Sequence, residues 1–366
     1  MRPPTRPATR NRTKTRALAG AALALAGLMI TVVLMSADPG RADEGHDHDN
    51  PTTTVPGTPT TLPPTPTTTT PLPTTPGAQS SVIDYGPTTI KAAPPVDGQA
   101  HGHTHTGNLF QLGAKKPCGD CYLTGMWAEL VYPDGSPANY NTRHILHHVV
   151  IFNMGWGHQD ATCGWSFLGF LGERFFASGA EGTKQIMPPG YGYKIGAWDS
   201  FNMIYELAGE STTDASVLIR MHYDWVPAST PNMKPARPVW LDVDQCGDSE
   251  ISLPAGPSTT NYTWWAGQSG KILGMGGHLH DGGKNITIVN DSTGKTLCDS
   301  KAGYGESAPY IGHHGEPHLS SMSTCYYSDL ATAPTLNVWD RVTIHANYDL
   351  PAASTDSMGI VMLWMG

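Results

Sequence analysis

The stretch "HILHHVVIFN", His144–Asn153, decides how the chain is read. Its second half, Val149-Val150-Ile151-Phe152, is short, apolar, rich in β-branched residues and without helical period, so it predicts a buried β-strand. Three histidines, His144, His147 and His148, stand at its mouth. Side chains alternate between the faces of a strand, so His147 and His148 should point opposite ways. Two neighbouring imidazoles can share one face only where the strand is bent or bulged, or has only just begun.

Working outward, the same kind of element recurs. "MWAELVYPDGSP" (126–137) is a strand that ends in a Pro-Asp-Gly turn, and "SVLIRMHYDW" (216–225) is a strand. "NITIVNDSTGKTLC" (285–298) reads as a hairpin about an Asp-Ser-Thr-Gly turn; "RVTIHANYD" (341–349) and "GIVMLWM" (359–365) are further strands. No window keeps a helical period. Short strands punctuated by Gly and Pro predict an all-β chain of two tandem β-sandwich, jelly-roll-like domains. Gly 41, Pro 31 and only 14% charged residues agree. The Pro-rich stretch "VPASTPNMKPARPV" (226–239) is the internal boundary, giving sandwiches over 108–235 and 236–366.

The segments before Asn108 read differently. Arg2, Arg6, Arg10, Arg12, Lys14 and Arg16 precede an apolar run from Ala17 to Ala37. That layout over residues 1–42 fits either a cleaved secretory signal or an uncleaved membrane anchor through residues 17–37. Either way the remainder is expected outside the cytoplasm, secreted or held on the outer side of the cytoplasmic membrane. Residues 43–107 are expected to be a disordered linker: 51–76 is nearly all Thr and Pro. His46 and His48 lie before it, and His101, His103 and His105 after it, as a solvated tail or a weak metal-collecting one. The net charge of −9 argues against a nucleic-acid partner.

Six cysteines in an exported chain predict disulfides. Cys118-Gly-Asp-Cys121 has no second Cys-x-x-Cys to complete a four-thiolate zinc site, and it lacks a thioredoxin-like βαβ context. Among the possible pairings we favour Cys298 with Cys325, which closes a loop within the second sandwich.

Four places put His or Met in strand context: His147 and His148; His222 in "LIRMHYDW"; His278 and His280 in "GMGGHLHDGG"; and Met358 in "DSMGIVMLWM". On a strand, i and i+2 share a face, so His278 and His280 can reach one ion. The plain alternatives are a polar surface strand for the His-x-His pair and a core methionine for Met358.

In order and spacing these motifs resemble the ascorbate-dependent type II copper monooxygenases, the family of peptidylglycine α-hydroxylating and dopamine β-monooxygenases. The resemblance spans roughly residues 120–366 and includes "ERFFASGAEGTKQIMPPGYGYKI" (173–195). It implies two coppers per chain across a solvent cleft. His147, His148 and His222 would hold the electron-transfer copper; His278, His280 and Met358 would hold the copper that binds O2. A competing pairing is His144 with His148, which share a strand face. The implied activity is hydroxylation of a C–H bond with O2 and ascorbate or another one-electron reductant. Thioether favours Cu(I), and imidazole tolerates both copper states.

Two departures qualify the resemblance. Peptide-amidating members carry an Arg just before the His-x-His pair and Asn and Tyr just after the Met. Here Gly276, Ile360 and Met362 stand in those places, so a peptide carboxylate lacks its partners. A small apolar or neutral substrate fits better. The segment "YIGHHGEPHLSS" (310–321), with His313, His314 and His318, is additional, and reads as an exposed loop, a substrate loop or a further metal site. The competing function is a non-catalytic extracellular copper-binding or copper-buffering surface protein.

Overall fold

The computed structural model describes residues 75–94, 103–164, 170–327 and 329–366. The basic leader, the apolar run 17–37, the Thr/Pro stretch up to residue 74 and His46, His48 and His101 lie outside these residues. The described chain is built of strands, with two 3-10 turns at Tyr140–Thr142 and Ala308–Tyr310. Among the described residues no helix is long and apolar enough to cross a membrane.

An eleven-stranded sheet forms the spine. Its main path runs through Gln79–Ile90, Ala215–Pro227, Cys121–Val131, Tyr191–Ile195, Lys234–Asp242, Gly359–Met365, Gly270–Leu279 and Thr324–Tyr326. The two halves of the chain join where Tyr191–Ile195 pairs in parallel with Lys234–Asp242. A second sheet orders Thr104–His105, Phe201–Gly209, His144–Asn153 and Glu173–Gly179, with Leu109–Ala114 also paired to Phe201–Gly209. A third orders Gly256–Trp265, Arg341–Leu350, Gly283–Asn290, Lys295–Tyr304 and Leu319–Met322.

Two hydrophobic cores result, one on each face of the spine. The second sheet covers the first core with Leu146, Val149, Ile151, Phe175, Phe176 and Met203. The third covers the other with Ile286, Ile288, Val342, Ile344 and Leu350. The strand Gly359–Met365 serves both, which is why it is apolar throughout. Ile360, Met362 and Trp364 enter the first core, and Val361, Leu363 and Met365 the second. Every residue of that strand is buried.

Order begins earlier than the composition implied. Gln79–Ile90, inside the expected disordered linker, is a 12-residue strand paired antiparallel to Ala215–Pro227. Thr104–His105 is also a strand, on Phe201–Gly209. Gln79–Ile90 is an edge strand that fully buries only Tyr85 and Ile90, so it carries little of the apolar patterning that marks a strand.

Three disulfides close the chain: Cys118–Cys121, Cys163–Cys246 and the favoured Cys298–Cys325. Cys163–Cys246 ties the loop after His144–Asn153 to the second half.

Candidate metal centre

The opening stretch contains its own irregularity. Along the pairing with Phe201–Gly209, Glu206 lies opposite His148 but Leu207 lies opposite Leu146, so His147 is the extra residue of a β-bulge. Leu146 and Val149 both enter the first core. The two residues between them therefore face outward together, and the alternation that should separate His147 from His148 is cancelled. Glu206 lies between the core residues Tyr205 and Leu207, so it projects from the same outer face.

On that face the side chains interlock. His147 Nδ1 lies 3.2 Å from His148 Nδ1. Glu206 Oε2 is 3.6 Å from the first nitrogen and 3.9 Å from the second. His148 Nε2 donates to Asn108 Oδ1 at 2.9 Å. His147 Nε2 is 3.2 Å from Asp356 Oδ2, and His105 Nδ1 is 3.3 Å from Glu206 Oε1.

The second half of the chain brings His278 and His280, at the end of Gly270–Leu279, against this group. The rings of His147 and His280 are 4.6 Å apart. The resemblance implied two sites facing across a solvent cleft; instead the histidines of both halves form one contiguous cluster. His278 Nδ1 donates to Glu181 at 3.0 Å. His280 Nδ1 donates to the backbone carbonyl of Asp356. A carbonyl only accepts, so His280 carries its proton on Nδ1, and the same holds for His278 beside an ionised Glu181. In the neutral imidazole, Nε2 of each ring then presents a lone pair. Both are buried and have no hydrogen-bond partner among the described residues. A metal-bound imidazole has this pattern: one nitrogen held by a carboxylate or carbonyl, the other left for the ion.

Met358 lies one residue before Gly359–Met365, buried in the first core with Ile360, Met362 and Trp364. His278 pairs with Ile360, and Leu279 with Gly359. The Tyr348 hydroxyl donates to the Met358 carbonyl at 2.5 Å and accepts from the His280 amide at 2.8 Å, fastening the two backbones together. Gly276, Ile360 and Met362, the departures from the amidating pattern, line a pocket beside His278 together with Met275, Trp364 and Tyr326. Gly179 is required at this junction. A Cβ there would meet Glu181 Oε2 at 2.6 Å, His278 Cε1 at 2.7 Å and the His147 carbonyl at 2.9 Å.

His222 does not join. It lies on Ala215–Pro227 in the spine, with Met221 and Tyr223 turned into the first core and its own ring turned outward. There it stacks on Trp127 and meets Glu129 Oε1 at 2.7 Å. The expected triad His147–His148–His222 is thus split between two sheets. His144 stays apart as well, its Nδ1 2.7 Å from the Tyr132 hydroxyl.

The additional histidine loop is a clasp. His318 stacks on Tyr140 with ring centres 3.9 Å apart, and its Nδ1 is 2.6 Å from Asp281 Oδ2. His313 meets Arg143. The loop thereby fastens the second half to the 3-10 turn that precedes His144–Asn153.

The electrostatics of the cluster are those of a cation site. Burial alone would raise Asp356, but its interaction with His280 and the hydrogen bond from His147 hold it far below the carboxylate range. Glu206 is depressed against its burial by His105 and His147. Burial opposes protonation of His147, yet Asp356 and Glu206 raise it to about 10; burial and the charge of His147 push His148 down to about 3. Two carboxylates share this pocket with imidazoles, and positive charge placed among them is stabilised. Two overlapping triads have the spacing of metal ligands: His105, His147 and Glu206, and His147, His280 and Asp356. Glu206, Asp356, Glu181 and Asn108 were not singled out from sequence, and His105 was read only as part of the His-rich tail. Glu206 left a signal: it is the one charged residue in the apolar strand "FNMIYELAG" (201–209).

The chain is similar to the following known proteins. Residues 228–366 match the family described as SURNod19, stress up-regulated Nod 19. The probable copper-dependent oxygenase M1 of Phoma sp. (strain ATCC 20986 / MF5453) is 27% identical over 280 residues, 73% of this chain and 65% of M1. The probable copper-dependent oxygenase clz3 of Cochliobolus lunatus is 28% identical over 235 residues, 61% of this chain and 70% of clz3. The match thus spans slightly less than two thirds of the length of M1. Among solved structures, the major capsid protein P2 of bacteriophage PM2 is 11% identical with a TM-score of 0.31, over 79% of this chain and 97% of that one. A likeness that weak carries no argument.

Proposed function

We propose that this chain is an exported copper-dependent monooxygenase that hydroxylates a C–H bond of a small apolar or neutral substrate, using O2 and an external reductant such as ascorbate. The observation that carries the reading is the pair of buried Nε2 atoms on His278 and His280, unpartnered among the described residues, each ring held from behind by an acceptor. The similarity to M1 and clz3, both named probable copper-dependent oxygenases, supports copper as the ion.

His278 and His280 would hold the copper, with the Met358 thioether as the third ligand. Bound there, copper supplies the one-electron chemistry and O2 binding that hydroxylation requires. The protein's own groups set the geometry. Glu181 and Asp356 fix the ring orientations and tautomers. Tyr348 fixes the Met358 backbone to the His280 backbone. The substrate would approach through the pocket beside His278, whose wall of Ile360, Met362, Trp364 and Gly276 offers no cation to a carboxylate. Export is supported by the basic and apolar leader and by the three disulfides.

Replacing Met358 separates an oxygenase from a copper store. Met358→Ala is expected to leave a folded protein that still binds copper through its imidazoles. Its reductant-driven oxygen uptake should fall by at least about tenfold, because the thioether tunes the ion toward Cu(I). Equal uptake in wild type and variant, each matching free copper, would leave the non-catalytic copper-binding surface protein as the better account.

A further inference from the structure

We infer a second copper site on the outer face of the second sheet, formed by His147 Nδ1, His148 Nδ1 and the Glu206 carboxylate. The inference rests on the copper reading above for the identity of the ion. Glu206 stands where the resemblance implied the imidazole of His222.

The geometry comes from three distances. His147 Nδ1, His148 Nδ1 and Glu206 Oε2 are separated by 3.2, 3.6 and 3.9 Å. The point equidistant from all three lies about 2.1 Å from each, which matches the roughly 2.0–2.1 Å of a metal–imidazole bond and the roughly 2.0–2.2 Å of a metal–carboxylate bond. Three ligand atoms are therefore spaced around one ion without any of them moving.

The remaining atoms of these groups are already occupied. His148 Nε2 donates to Asn108, and His147 Nε2 faces Asp356. Glu206 turns its other oxygen to His105 Nδ1. With Nε2 of both rings engaged, the Nδ1 atoms are left pointing at each other and at a carboxylate oxygen. Each of the three ligands thus has an outer partner that orients it, as metal sites require. The bulge at His147 places both imidazoles on this face, and strand alternation brings Glu206 to meet them.

The ligand set has a chemical consequence. A carboxylate is harder than an imidazole, so this site favours Cu(II) more than a three-histidine site does, and more than a thioether site does. Asp356 touches both sites. Its side chain meets His147, and its backbone carbonyl meets His280.

The test is copper content of the full chain, measured after Cu(II) loading and removal of loose metal, with folding checked by circular dichroism. Wild type and His222→Ala should each hold two coppers, and Glu206→Gln one. A His222→Ala variant that loses a copper, or a Glu206→Gln variant that keeps two, overturns the inference. Should Glu206→Gln fail to fold, anomalous diffraction from the copper-loaded wild type decides. A peak about 2 Å from His147 Nδ1, His148 Nδ1 and Glu206 supports the site, and a peak beside His222 overturns it. A wild type with one copper, lost in His278→Ala, overturns this inference and leaves the proposed function standing. A wild type that holds none overturns both.

Discussion

Copper-loaded protein carrying His280→Ala is expected to lose one copper ion and at least about a hundredfold of its reductant-driven oxygen uptake. The scale follows from a comparison: loss of an outer partner of a ligand typically costs about 10–100-fold, and loss of the ligand itself should exceed that. His280 is the informative choice because its two nitrogens have separate duties. Nδ1 is tied to the Asp356 carbonyl, whereas Nε2 is buried without a partner among the described residues. If His280 were only a packed polar residue, alanine would release the carbonyl and leave copper content unchanged. The protein should stay folded, since the hydrophobic cores on either side do not include His280. Copper content and oxygen uptake on one sample check the expectation; an unchanged copper content contradicts it.

Arg174→Ala is expected to destabilise the fold by about 3–5 kcal/mol, the cost of leaving one partner of a buried ion pair without the other. Arg174 Nε and Nη2 reach Asp160 Oδ2 and Oδ1 at 2.6 and 2.9 Å, and both side chains are 2% exposed. The guanidinium also lies 4.8 Å from the centre of the Trp240 ring. Asp160 in turn accepts the amides of Thr162 and Cys163, so the pair holds the loop that carries Cys163–Cys246. Removing the arginine strands a carboxylate in the interior. Chemical unfolding measures the loss, and a change under about 1 kcal/mol would refute the assignment, since that is the value of an exposed pair. The pH dependence has a definite sign. Burial alone would raise Asp160, but the Arg174 hydrogen bonds and charge lower it below the ordinary carboxylate value. Its contribution to stability is present above that ordinary value, about 4, and is lost as pH falls through the lower folded value.

Much of this was legible in the sequence, and the failures are informative. Gly359–Met365 reads as a strand because it is apolar without interruption; its position between two cores explains the lack of alternation. The His-x-His pair at the end of Gly270–Leu279 implies two imidazoles on one face; their ring centres lie 5.3 Å apart, and neither Nε2 has a hydrogen-bond partner among the described residues. The neighbouring pair His147–His148 could share a face only on a bent, bulged or just-begun strand, and the register shows a bulge.

His222 was misplaced although the information was present. In "SVLIRMHYDW" the residues Val217, Ile219, Met221 and Tyr223 alternate into the core, so His222 had to share the outer face with Arg220. Motif order suggested a ligand where strand parity put a half-buried ring on the outer face. Glu206 is the converse case. It is a lone carboxylate amid Ile204, Tyr205, Leu207 and Ala208, and a charge in such a strand requires partners. Sequence could flag that anomaly but not name the partners. The bulge that turns both histidines toward it, and the packing of Asp356 against them, arise only from tertiary pairing. The edge strand Gln79–Ile90 was hidden for a related reason, since its stability comes from a neighbouring strand rather than from its own composition.

The central claim, that this chain is a copper-dependent oxygenase working at His278 and His280, is tested most directly by oxygen uptake. The wild type and His278→Ala would be loaded with copper, stripped of loose metal, and mixed with ascorbate in an oxygen electrode. The account predicts sustained uptake by the wild type, abolished by a copper chelator and reduced to background in His278→Ala. Uptake that is the same in both proteins, or absent from a wild type shown to hold copper, would contradict it.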